Sequence, residues 1–241
     1  MIYDINVDSQ ISSDLLQEKN IILIIPGRGV LSTEYSFLNE ISANLDGFSS
    51  VIVDGLYKNE QDDRGGPISY QNILNIIQKI LQLKPDINIY LLGHSTGTRI
   101  ALHHSKHANV RGVIALAVMS DLINHINACR QFIPDYVKSI ISDIGEASSE
   151  NMQYVIRSPV YWLDRINENV LLITGENDRV CPPPQTTILS EKLESIGIFP
   201  STYFIPKADH FFKLPSFADS NSFGLIIEMI VGWLRKISNE N

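Results

Sequence analysis

Cysteine is nearly absent: Cys129 and Cys181 are the two in a chain of 241 residues. No Cys-x-x-Cys motif occurs and two distant cysteines make no disulfide framework, so each is expected as a small buried or half-buried residue. Basic charge is also scarce, with Lys+Arg 19 against Asp+Glu 27 and a formal net charge of −8. A chain so acidic lacks the basic face that nucleic acid or an anionic membrane surface would require. Long apolar runs are missing too, and none approaches the roughly 20 residues that span a bilayer. Met1 to Asp8 carries acid rather than Lys or Arg and no long apolar stretch, unlike a secretory leader, so a cytoplasmic protein is expected. Neither an internal repeat, a low-complexity tract nor a linker divides the chain, and residues 1–241 are expected to form one domain.

Apolar residues make up 44% of the chain, enough for a substantial core. Ile21-Ile22-Leu23-Ile24-Ile25 is a continuous apolar run ended by Pro26-Gly27. Such a run fits a strand buried on both faces, as in a parallel sheet covered by helices. Strands are expected again at 50–53, 87–92, 112–118, 170–173 and 202–205. Helical spacing recurs between them at 33–45, 69–83, 98–106 and 184–195, and closes the chain at 217–237. Met1 to Val7 reads as an edge strand. Alternation of this kind specifies an α/β fold with a mostly parallel central sheet flanked by helices, whose functional groups gather at the carboxyl ends of the strands. Residues 121–158 break the rhythm with three helical patterns and no strand. They are expected to form a helical cap insertion over the carboxyl edge, with Phe132, Tyr136, Ile140, Ile141, Met152 and Tyr154 either lining a pocket or binding the cap to the sheet.

Gly93-His94-Ser95-Thr96-Gly97 lies between the 87–92 strand and the 98–106 helix. In that context Gly-x-Ser-x-Gly is a sharp strained turn that lifts the serine hydroxyl clear of the sheet, while glycine lets backbone pass where a Cβ would clash. Ser95 is therefore the candidate nucleophile. A serine hydroxyl needs a base, and the base an orienting acid. His94 is expected on the other side of the turn from the serine. His103, His104 and His107 fall on the helix after the elbow. His103 and His107 have metal-ligand spacing but no carboxylate companion, so they are expected as solvated helix histidines, with no metal or cofactor. His210, just after the last strand, is left as the base. Asp178, after the strand at 170–173, is the preferred acid, with Asp121 its rival and Asp209 and Glu176 expected as solvated loop carboxylates. The backbone N–H groups of Thr96 and Arg28 are the candidate oxyanion donors. The Arg28 side chain is left open between binding a substrate carboxylate and lying on the surface.

These residues resemble the α/β-hydrolase superfamily from about Ile21 onward, in the serine motif, Gly175-Glu176-Asn177-Asp178 and Asp209-His210. Arg157-Ser158-Pro159 and the stretch Leu172 to Val180 resemble the catalytic domain of prolyl-oligopeptidase-type serine peptidases and related esterases. The resemblance implies a Ser-Asp-His triad acting on a small-molecule acyl substrate without a cofactor. Pro26-Gly27 replaces the His-Gly found in many members, and Thr98 stands where many have a second glycine. The chain is too short to hold the β-propeller of the large oligopeptidases. A serine hydrolase cleaving a carboxylic ester or thioester through an acyl-Ser95 intermediate is therefore expected. An acyltransferase, a small-peptide or amide hydrolase, and a non-catalytic ligand-binding protein of the same fold remain as alternatives.

Overall fold

The computed structural model describes residues 18–28, 32–53, 56, 63–214 and 222–239. The strand expected at Met1 to Val7 lies outside them. Six strands form a parallel sheet in the order β2-β1-β3-β4-β5-β6, with β1 Asn20–Ile25, β2 Ser49–Ile52, β3 Asn88–His94, β4 Val110–Leu116, β5 Val170–Gly175 and β6 Ser201–Ile205. The strand runs are apolar without interruption because both faces are covered. In β1, Ile21, Leu23 and Ile25 enter one core, and Ile22 and Ile24 enter the other.

The first core is closed by α2 Pro67–Leu83, α3 Thr96–His103 and α7 Pro184–Ser195, the second by α1 Ser32–Ala43 and α8 Ser222–Asn239. In α2, Ile73, Ile76, Ile77 and Ile80 recur at helical spacing and are all buried. Its start, two residues earlier than the apolar pattern suggests, is fixed by chemistry rather than periodicity. Pro67 occupies the first turn, and the Asp63 carboxylate accepts the N–H groups of Gly66, Ile68 and Ser69 at 3.1, 2.6 and 3.3 Å.

Strand order reverses between β1 and β3. β1 leads outward to β2 in one direction, and β3 leads to β4, β5 and β6 in the other. In an open parallel sheet this switch point opens a crevice at the carboxyl ends. Ile25-Pro26-Gly27-Arg28 leaves β1 there, and His94-Ser95-Thr96 leaves β3. The two are in close contact: a Cβ on Gly97 would stand 2.1 Å from the Ile25 carbonyl oxygen and 2.7 Å from that of Pro26. Gly97→Ala is accordingly expected to destabilise the fold by about 3 kcal/mol, read as a lowered urea midpoint with an unchanged denaturant slope.

Between β4 and β5 lie α4 Leu122–Cys129, α5 Pro134–Ile144 and α6 Met152–Val155, followed by two 3-10 turns at Pro159–Tyr161 and Leu163–Arg165. Tyr154 and Ile140 are buried in the second core, whereas Phe132 and Met152 are exposed. Two buried arginines, Arg157 and Arg64, bind this segment to the loop before α2, and a third, Arg99, binds α3 to the same loop. Arg157 donates to the Asp63 carbonyl from Nε and Nη2 at 3.1 and 2.7 Å. Arg99 donates to the Arg64 carbonyl, and Arg64, at φ 54°, pairs with Asp143 and donates to the Ser139 carbonyl at 3.1 Å. A Cβ on Gly66 would stand 2.3 Å from Arg157 Nη2, and one on Gly65 would stand 2.5 Å from Thr96 Cγ2.

Candidate active site

Ser95 sits between β3 and α3 at φ 53°, ψ −120°. A residue with a Cβ is sterically penalised there, and the surrounding structure must hold it. It is held from several sides. Its N–H donates to the Leu116 carbonyl at 2.9 Å, extending the β3–β4 ladder past the strand end. Its carbonyl accepts the Thr98 hydroxyl at 2.6 Å and the Thr98 N–H at 3.0 Å. Thr98 Oγ1 also accepts the Met119 N–H at 3.1 Å. Thr98, which stands where many members have a second glycine, ties the turn to the chain beyond β4 and is fully buried.

Asp178 and His210 come from the neighbouring strand ends. Gly175 permits their loops to meet, because a Cβ there would stand 2.4 Å from the Ala208 carbonyl oxygen. Backbone bonds from Glu176 to Ile205 at 3.0 Å and from Asn177 to Ala208 at 2.9 Å lock the two loops together. His210 Nδ1 then lies 2.8 Å from Asp178 Oδ2. The other carboxylate oxygen accepts the N–H groups of Val180 and Cys181 at 2.8 and 2.7 Å. Asp178 is 2% exposed and His210 8%. An Asp oxygen is acceptor-only when ionised, so it fixes the proton on Nδ1 and leaves Nε2 as the basic nitrogen.

The Ser95 hydroxyl is turned to the Cys181 thiol, with Oγ 3.8 Å from Sγ, and makes no hydrogen bond to His210 among the described residues. Cys181 is fully buried, and burial pushes its thiol well above the ordinary range, so it meets the serine as a neutral group. Thr96 opens α3, which leaves its N–H among the helix-start donors that have no intrahelical acceptor. Arg28 is half-buried, two residues past the Pro26 carbonyl that faces Gly97.

Other expectations are corrected. Asp121 is not with the imidazole: its carboxylate caps α4, accepting the N–H groups of Ile123 and Asn124 at 3.0 Å each. Asp209 is no solvated carboxylate either, since its Oδ1 accepts the N–H groups of Phe211 and Lys213 at 2.9 Å each and shapes the turn that carries His210. Glu176 is exposed as expected. Of the histidines after the elbow, His103 and His107 are half-buried rather than solvated, and His104 and His107 lie past the end of α3. α3 ends at His103, whose ring stacks on Tyr70 at 4.0 Å, and His104 Nε2 bonds the Tyr70 carbonyl at 2.9 Å.

His94, expected on the other side of the turn, and Cys181, expected only as a small buried or half-buried residue, both lie next to the candidate triad. His94 is fully buried, with Nε2 3.0 Å from the His210 carbonyl oxygen and the two rings 4.9 Å apart. Cys181 follows Asp178 by three residues, and the turn closed on the Asp178 carboxylate returns its side chain to Ser95. That spacing was the available signal.

Burial lowers the pKa of His125 and of His104 to about 4, so both are neutral in the folded protein at pH 7. The unfolded chain protonates them near 6.5. It therefore binds more protons than the native state between those values, and stability rises with pH across that window. The effect is fully present above about pH 6.5 and is lost as pH drops towards 4. His125, which is fully buried, contributes on the order of 3 kcal/mol. Thermal melts from pH 7.5 to 4.5 are expected to show this decline, with a flatter profile for His125→Asn.

The switch-point sheet and the strained serine turn define an α/β-hydrolase fold of the serine hydrolase class. A profile of the prolyl oligopeptidase family (Peptidase_S9) matches residues 70–240, and the chain belongs to that family. No curated protein sequence matches it. Similar solved structures include the acylaminoacyl peptidase of Pyrococcus horikoshii, 16% identical with a TM-score of 0.68, over 91% of this chain and 37% of that one. A puromycin-hydrolyzing peptidase of Mycobacterium tuberculosis is 18% identical with a TM-score of 0.71, over 92% of this chain and 34% of its own. A thermostable carboxyl esterase of Bacillus coagulans is 15% identical with a TM-score of 0.62, over 91% and 90%. The chain thus spans little more than a third of the peptidases and most of the esterase. No helix among the described residues is long and apolar enough to cross a membrane.

Proposed function

We propose that this chain hydrolyses a small carboxylic ester or thioester through an acyl-Ser95 intermediate. The observation that carries the reading is the buried Asp178–His210 bond of 2.8 Å beside a serine held at φ 53°. In this mechanism the serine turns from Cys181 to His210, whose Nε2 takes its proton as Oγ attacks the carbonyl. Asp178 steadies the resulting imidazolium. The N–H groups of Thr96 and Arg28 bind the oxyanion, each donor typically contributing about 3 kcal/mol to the barrier. His210 returns the proton to the leaving group, and water then repeats the cycle on the acyl-enzyme. The ester reading takes support from the carboxyl esterase of Bacillus coagulans, whose fold this chain matches over 90% of the esterase's own length.

The test is a matched panel of p-nitrophenyl esters, acyl thioesters and p-nitroanilides, with and without alcohol and amine acceptors. Ester or thioester turnover above anilide turnover, with free acid as product, supports the proposal. Faster anilide cleavage would make it an amidase, and acceptor-dependent product an acyltransferase. Failure of all substrates and of every serine-directed probe would favour a binding protein.

A further inference from the structure

We propose that the cavity between α2, the end of α3 and residues 152–165 binds a small monocarboxylate with an apolar body, at a site separate from Ser95. The cavity has a volume of about 490 Å³, in the range of small-molecule sites, and none of Ser95, Asp178 and His210 lines it. Its walls are largely aromatic and aliphatic. Tyr70 and His103 stack with ring centres 4.0 Å apart, Trp162 stands edge-on to His103 at 5.5 Å, and Leu74 and Met152 complete the apolar surface.

Its polar groups are neutral or cationic: Gln71, the two histidines and the Tyr70 and Tyr161 hydroxyls stand with one arginine. No carboxylate lines it, while Arg165, an exposed residue, does. Arg165 makes no ion pair among the described residues, and its Nη1 donates to His103 Nε2 at 3.0 Å. An arginine can only donate, so Nε2 is the acceptor nitrogen of that ring. Burial lowers the His103 pKa to about 4, which leaves one ring proton at pH 7, on Nδ1. That N–H has no acceptor, and neither has the indole N–H of Trp162, a residue 8% exposed. Two residues that carry buried, unpartnered donors and one guanidinium without a counter-ion among the described residues therefore line a largely apolar cavity. A carboxylate supplies what they lack: acceptor oxygens and a single negative charge. One guanidinium matches a monoanion better than a phosphate dianion, and the wall area selects a hydrocarbon or aryl body.

The assignment does not depend on the hydrolase reading. It is tested by calorimetric titration of the whole chain with 4-phenylbutyrate, against 4-phenylbutyramide as the uncharged control. One saturable site is expected, with the amide at least ~10-fold weaker, about the loss of one charge-assisted hydrogen bond. Arg165→Met should weaken the carboxylate to a similar degree. Trp162→Phe keeps the ring and removes the donor, and should also weaken it; Leu74→Trp, which fills the cavity, should abolish binding. Binding should persist after fluorophosphonate treatment of Ser95. Absence of saturation, equal affinity for the amide, indifference to both Arg165→Met and Trp162→Phe, or loss of binding on Ser95 modification would overturn the proposal. The variants locate the site whether or not Ser95 labels, so the two readings fail separately.

Discussion

Ser95→Ala is expected to reduce turnover of an activated ester by at least ~10⁴-fold while leaving thermal stability nearly unchanged. Without Oγ no acyl-enzyme forms, and what remains comes from binding and from oxyanion donors such as the Thr96 N–H. The side chain makes no hydrogen bond that the fold depends on, because its contact with Cys181 is a 3.8 Å approach to a weak sulfur partner. Two readouts separate the outcomes. Intact mass after fluorophosphonate treatment should show one adduct on the wild type and none on the variant, and steady-state rates should fall in kcat. Full turnover in Ser95→Ala would remove the nucleophile assignment altogether.

Asp178→Asn is expected to cost about 10⁴-fold in kcat through a change of tautomer. The amide oxygen can still accept the Val180 and Cys181 N–H groups, which hold it at 2.8 and 2.7 Å in the native loop. Its NH₂ then faces His210 Nδ1 and donates to it, so the ring proton moves to Nε2. A nitrogen that carries a proton cannot take one from Ser95. Asp121→Asn serves as the control, with at most a few-fold loss, because that carboxylate caps α4 and an asparagine caps nearly as well. If Asp121→Asn proved the more damaging substitution, the acid would have to be reassigned.

The strands were legible because burial on both faces leaves a local mark, an unbroken apolar run such as Ile21 to Ile25. Ser95 was legible because its turn needs glycine at Gly93 and Gly97, and that spacing is short. Asp178 could be preferred but not separated from Asp121 by sequence. Both follow a strand, and only the meeting of the β5 and β6 loops at Gly175 and Ala208 tells them apart. His103 and His104 misled for a related reason: helical spacing says nothing about Tyr70, which approaches them from another helix. The arginine bridge from Arg64 to Asp143 joins residues 79 apart, and no pattern along the chain announces it.

The turn at Ser95 also sets function against stability. Because φ there is 53°, glycine fits the backbone better than serine does. Relief of that strain, about 1–3 kcal/mol, exceeds the added flexibility of a glycine in the unfolded chain, about 0.5–1 kcal/mol. Ser95→Gly should therefore melt higher than the wild type while being inactive. A screen for thermal stability alone would select against the nucleophile, so the residue persists at this turn only where activity is what is being selected.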